Sequence, residues 1–243
     1  MKKTKIVCTM GPNTDNREIM TALVKNGMDV ARFNFSHGTH EEQKARMDLL
    51  KAVRKEQKRP VAILLDTKGP EIRTGLLEGG KKVTLTEGET FTLTTRDMVG
   101  NNKICSQTYE DMPKDVVPGN TILIDDGLIA LEVVEVQETD VICRVVNGGE
   151  LGQQKGINMP NVKVNLPAIT EKDREDILFG ISQGIDFIAA SFVRTSAAID
   201  EIKAILRENG GEKIGVIAKI ENAEGVDNID EIIKASVGVM VAR

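Results

Sequence analysis

Two hydrophobic periods alternate along this sequence, and the places where one replaces the other divide the chain. In its first and last parts, short β-branched runs alternate with amphipathic helical patterns. The runs are Lys5–Thr9, Met28–Phe35, Val61–Asp66, Asp186–Ser191, Gly215–Lys219 and Gly238–Ala242. They read as buried on both faces, as parallel strands are, so these parts predict an α/β fold. Helix starts are legible as capping boxes, in which side chains satisfy the orphan N–H groups of the first turn: Asp15 with Glu18, Thr39 with Glu42, and Thr170 with Asp173. Asn26-Gly27 reads as the stop of the first helix.

Between about Gly69 and Pro167 the period changes to two, as in Val83-Thr84-Leu85-Thr86 and Phe91-Thr92-Leu93-Thr94, with Asp126-Gly127 and Thr139-Asp140 as turn signals. This predicts an all-β insert. It interrupts the connection from the third strand run to the helix starting near Glu171, so it hangs off the C-terminal end of that strand and reads as a lid. The expected organisation is residues 1–69 and 168–243 in one domain, with residues 70–167 inserted.

The rest of the composition excludes several classes. With 40% apolar and 28% charged residues, the 243-residue chain has the makeup of a globular protein with a real core. Thirty-two basic residues against 37 acidic ones give a net charge of −5 without long runs. No global field therefore attracts nucleic acid or a membrane surface, and an anion has to be held locally. After the basic Met1–Lys5, the apolar run Ile6–Met10 is ended by Gly11-Pro12 and is too short for a signal peptide. No stretch reaches the length of a membrane span. Cys8, Cys105 and Cys143 are odd in number and far apart, which predicts reduced thiols in a cytoplasmic protein.

Parallel strands of an α/β fold place ligands beyond their C-terminal ends. The six ends carry Thr9-Met10-Gly11, Arg32 to Gly38, Asp66-Thr67-Lys68, Ser191 to Arg194, Lys219-Ile220-Glu221-Asn222 and Arg243. Nearly every end is charged. Because side chains alternate across a strand, Arg32, Asn34 and Ser36 share one face, and Lys219 shares one with Glu221, while Phe33, Phe35 and Ile220 turn to the helices. Polar residues also simply begin βα loops, and Lys219 with Glu221 also reads as a structural pair. Taken together, the ends suit a small phosphate- or carboxylate-bearing anion bridged by a hard divalent cation such as Mg2+. Three other motifs are weaker. Gly75 to Lys82 nearly spells a P-loop, but Lys82 stands where a hydroxyl belongs and a β pattern follows. His37 and His40, near Glu41 and Glu42, read as a turn and a surface histidine with no third metal ligand. No Gly-x-Gly occurs, so a dinucleotide fingerprint is missing.

The segments Ala31–Gly38, Leu64–Thr74 and Ile217–Gly225 resemble the signature segments of pyruvate kinase, as do Asp125–Ile129, Lys155–Pro160 and Asp186–Arg194. The resemblance covers essentially the whole chain. It implies a TIM (β/α)8-type barrel, about six of its eight βα units present, with a β-barrel lid inserted after the third strand. It implies phosphoryl transfer from phosphoenolpyruvate to ADP, giving pyruvate and ATP, with Mg2+ or Mn2+ and K+, in a homotetramer. By the same resemblance Arg32 contacts the transferring phosphoryl group, Lys219 stabilises charge there and on the enolate oxygen, and Glu221 is a ligand of the divalent metal. Asn34, Ser36, Asp66 and the Thr67 carbonyl hold the monovalent cation, and Arg73 and Lys155, with His37 nearby, face the nucleotide phosphates. In that family a Gly-Asp-Leu-Gly segment carrying a second metal carboxylate follows Met-Val-Ala-Arg, whereas this sequence ends at Arg243 and has Val237 where an acidic residue is usual. Little or no turnover is expected from this stretch alone. Two further readings remain at this stage: a Mg2+-dependent aldolase or lyase barrel acting on a 2-oxo acid, and a fragment that binds substrate or a partner without chemistry.

Overall fold

The chain begins with β1 (Val7–Met10), α1 (Arg17–Lys25), β2 (Val30–Asn34), α2 (His40–Glu56) and β3 (Ala62–Asp66). A β-rich stretch follows: β4 (Ile72–Arg73), β5 (Val83–Leu85), β6 (Thr90–Thr94), β7 (Ile104–Ser106), the short α3 (Met112–Asp115), β8 (Thr121–Ile124), β9 (Ile129–Val136), β10 (Asp140–Asn147), β11 (Gly149–Leu151) and β12 (Gly156–Asn158). Then come α4 (Glu171–Gln183), β13 (Phe187–Ala190), α5 (Ser196–Glu208), β14 (Gly215–Ile220), α6 (Ala223–Asp227), α7 (Ile229–Ala235) and β15 (Gly238–Val241). The structure is a computed structural model that describes residues 3–242; Arg243, read above as a strand end, lies outside the described residues. The elements form two compact units, one of the chain up to Pro70 with Ala168–Glu221 and Gly225–Ala242, the other of Glu71–Pro167 with Asn222–Glu224.

In the first unit six strands form one sheet in the order β1-β2-β3-β13-β14-β15, and every neighbouring pair is parallel. Helices connect them in the TIM-barrel-like α/β pattern. Period two sorts the side chains. Ala31, Phe33, Ile63, Leu65, Ile188, Ala190, Val216 and Ala218 pack against Met20, Met47, Leu50, Ile177, Ile202 and Ile232 of the helices. The residues between them, Arg32, Asn34, Leu64, Asp66 and Ala189, therefore point to the opposite face. The sequence predicts strands buried on both faces, and the two edge strands depart from that. Val7 is 49% exposed and Val241 86% exposed, because an edge strand has a neighbour on one side only.

Two of the three predicted capping boxes form, at Thr39 with Glu42 and Thr170 with Asp173. The third does not. Asn16 caps α1, its side chain accepting from the N–H groups of Glu18 and Ile19. Asp15 instead closes a 3-10 turn at Pro12–Thr14 and pairs with Arg46 at 2.7 Å. Asn26 ends α1, and Gly27 takes the left-handed turn at φ 101°.

The second unit is β-rich and includes a short α-helix, α3, that the all-β expectation omitted. Its main sheet runs β4-β12-β8-β9-β10-β6-β7, with β5 and β11 as a separate pair. Phe91, Leu93, Ile122, Ile124, Leu131 and Val141 form its core with Met112 of α3. The P-loop-like segment enters a 3-10 turn at Glu78–Gly80 and then β5, with no helix for a phosphate to cap. No helix among the described residues is long and apolar enough to cross a membrane.

Candidate active site

The register of the parallel sheet sets the first unit's polar residues side by side. Thr9 lies opposite Arg32, Asn34 opposite Asp66, and Asp66 opposite Ala189. Ala190 pairs with Ala218, so the residues after them, Ser191 and Lys219, stand next to each other. Asp66 is the hub. It is 1% exposed; Arg32 Nε donates to its Oδ2 at 2.5 Å, and Lys219 Nζ lies 3.2 Å from its Oδ1. Arg32 also donates to Thr9 Oγ1 at 2.9 Å. Lys219 has two further acceptors, Ser191 Oγ at 2.8 Å and Glu221 Oε1 at 3.3 Å. Two cations and two carboxylates thus compensate one another where unpaired charge would be costly. Arg32 keeps a side chain 26% exposed, so its guanidinium has donors free to meet an anion.

The loops that carry these residues are held from below. Gln43, buried in the first turn of α2, donates to the carbonyls of Asn34 at 3.1 Å and His37 at 2.9 Å. Asn34 Oδ1 accepts from the Ser36 N–H at 3.0 Å, which folds the loop after β2. Buried Asp173 at the start of α4 accepts the Gly69 N–H at 3.0 Å, fixing the segment after β3. Phe192, left-handed at φ 55°, turns its N–H onto Glu221 Oε2 at 2.8 Å. A bulky residue in that region costs of order 1–3 kcal/mol, so the turn persists because its surroundings impose it.

Asn34, Ser36, Asp66 and Thr67 lie at the ends of the adjacent strands β2 and β3. Among the described residues no group of three or more His, Cys, Asp or Glu side chains is arranged around a metal position. His37 is exposed. His40 is not the simple surface residue the sequence suggests. Its Nε2 lies 2.6 Å from buried Asp176, and its ring stacks on Phe179 at 4.2 Å, tying α2 to α4. Lys172 holds the same carboxylate at 2.8 Å.

In the second unit Arg73 and Lys155 meet across neighbouring strands. Arg73 pairs with Gly156, and the Thr74 N–H donates to the Lys155 carbonyl at 2.8 Å. Arg73 Nε donates to Glu71 at 2.7 Å, and Lys155 Nζ lies 2.9 Å from Asp125. The hydrogen bond to Glu71 raises the Arg73 pKa further.

Over residues 1–243 the chain matches the pyruvate kinase barrel domain. The chain belongs to the pyruvate kinase family. Over its whole length it is 52% identical to a pyruvate kinase of Clostridium acetobutylicum, of which it covers 51%. With a pyruvate kinase of Geobacillus stearothermophilus the identity is also 52%, over 41% of that protein. The crystal structure of a pyruvate kinase from Cryptosporidium parvum superposes with a TM-score of 0.91 at 44% identity, covering 99% of this chain and 50% of that one. The chain thus spans about half the length of the curated relatives it matches.

Two residues of the strand-end cluster, Thr9 and Ser191, were not singled out from the sequence. Both stand at strand ends and obey the same alternation as Arg32 and Lys219. Their signal was position alone, since a hydroxyl is also what a βα loop ordinarily begins with.

Proposed function

We propose that the strand-end cluster is where a phosphoryl group passes from phosphoenolpyruvate to ADP, giving pyruvate and ATP. The observation that carries this reading is Lys219, an ammonium with a side chain 11% exposed, held by acceptors on three strand ends beside an arginine on the same carboxylate. In the transfer the bond from phosphorus to the enol oxygen breaks and one to a β-phosphate oxygen of ADP forms, and the enolate takes up a proton to become pyruvate. Arg32 contacts the transferring group, and Lys219 neutralises charge on it and on the enolate oxygen. Catalysis by such groups consists of positioning and of donors preorganised where charge develops.

The residues present fit the ions this chemistry uses. Asn34, Ser36, Asp66 and the Thr67 carbonyl offer only hard oxygen donors from two adjacent strand ends, as a monovalent cation such as K+ requires. Glu221 offers one carboxylate, and Mg2+ or Mn2+ is often bound through one or two carboxylates plus substrate phosphates. When bound, the divalent ion supplies charge neutralisation on the phosphoryl oxygens. Arg73 and Lys155, with His37, are assigned to the nucleotide phosphates, and residues 70–167 to the role of a lid that keeps water out. A homotetramer in the cytoplasm belongs to the same reading.

The test is pyruvate formation from phosphoenolpyruvate and ADP by the purified chain with Mg2+ and K+, beside Lys219→Met of verified mass. Turnover by this stretch is expected to be small, and whatever pyruvate forms above the protein-free background is expected to depend on Lys219. Formation that survives the substitution would overturn the assignment.

A further inference from the structure

Ser191 is given no step in the transfer above beyond accepting from Lys219, yet it sits at the middle of the cluster. It is 5% exposed. Its hydroxyl carries one proton and lies within reach of three groups: the Thr67 carbonyl at 2.6 Å, Asp66 Oδ1 at 3.3 Å and Lys219 Nζ at 2.8 Å. A carbonyl and a carboxylate can only accept, and an ammonium can only donate. Whichever acceptor takes the proton, it points towards the end of β3, and Lys219 donates to the oxygen. The three N–H groups of Lys219 therefore face Ser191, Asp66 and Glu221, and of these three Ser191 is the nearest and the uncharged one. The serine itself is fixed. Its N–H donates to Thr67 Oγ1 at 3.0 Å, and a Cβ on Gly69 would come within 2.8 Å of its own Cβ.

We propose that Ser191 is a positioning residue that couples the monovalent-cation site to Lys219. The inference rests on the assignment of Asp66 and the Thr67 carbonyl to that cation. These two oxygens are the ones that compete for the Ser191 proton. A cation held there sets the direction of the hydroxyl and draws on the Asp66 charge that Lys219 otherwise shares. Direct Coulomb repulsion would push the ammonium away from a nearby cation, and the uncharged oxygen of Ser191 keeps it in place. The cation thus acts on Lys219 through a hydrogen bond as well as through its field.

The experiment uses the full 243-residue chain with 15N-labelled lysine. The Nζ signal of Lys219 is assigned by its loss in Lys219→Met and followed as KCl replaces tetramethylammonium chloride at constant ionic strength. The wild-type signal is expected to shift with K+. Most of that shift should be lost in Ser191→Ala, and also in Ser191→Cys, which refills the space but is a weak hydrogen-bond partner. Thermal unfolding verifies that both variants are folded. A full shift in either variant would overturn the coupling and leave the assignment of Lys219 standing. No shift in the wild type would also overturn it, and if K+ then fails to raise the wild-type thermal midpoint, the cation site falls with it.

Discussion

Gly69 shows how little room the residues around Lys219 have. Its backbone is left-handed at φ 72°, and a Cβ there would come within 2.8 Å of both Ser191 Cβ and Phe192 Cδ2. Gly79 is left-handed too, at φ 62°, but its Cβ would meet nothing within 4 Å. Comparing the two therefore separates crowding from backbone strain. Gly69→Ala is expected to lose about 1–3 kcal/mol more than Gly79→Ala in urea unfolding, the usual cost of overpacking. Equal losses would mean that the approach to Ser191 is not tight. Tyr109 is the single tyrosine of a chain without tryptophan, so its ionisation can be read directly. Burial first, then the hydrogen bond to Asp115, pushes its phenol from 10.0 up to about 12. The folded state thus favours the neutral form. The stability Tyr109 contributes is complete below about pH 10 and lost as pH rises towards about 12. Phenolate absorbance in the near ultraviolet should appear in the native chain well above the pH at which it appears in the urea-unfolded chain. Coincident midpoints would contradict the buried phenol.

Among the elements, those with a strong local signal were the ones legible in the sequence. The six strand runs of the first unit form six parallel strands, because short β-branched runs between helical patterns have few other ways to be buried. The start of α1 was misjudged by one residue because Asp15 and Asn16 are both capping types. What decided between them was the 3-10 turn at Pro12–Thr14, which takes Asp15 as its end. Asn16→Ala should therefore cost about 1 kcal/mol in urea unfolding. Asp15→Ala should act only through its partly exposed pair with Arg46 and cost less than about 1 kcal/mol. The reverse order would return the cap to Asp15. The contact of His40 with Asp176 was out of reach from the sequence, since 136 residues separate the two and no period links them. The helical turn α3 was hidden for a different reason: four residues are too few to show a helical period.

For the molecule as a whole, the site could be read because strand alternation and parallel register are enough to gather it. Once β2, β3, β13 and β14 are placed in order, Arg32, Asp66, Ser191 and Lys219 must share one face at one end of the sheet. The pair of Lys219 with Glu221 was legible from alternation, but the part Asp66 takes in the pairing was not. Asp66, expected among the ligands of a monovalent cation, also serves as the common counter-charge of Arg32 and Lys219. With Glu221 as the second carboxylate the cluster is neutral, and Arg32 is still partly open to an incoming anion. The most direct test is calorimetric titration of the purified chain with phosphoenolpyruvate, with Mg2+ and K+ present together and each omitted in turn. Saturable binding that needs both ions and weakens at least about tenfold in Arg32→Met is expected. Equal binding by a folded Arg32→Met, or no binding by the folded wild type, would contradict the placing of a phosphate-bearing substrate at these strand ends.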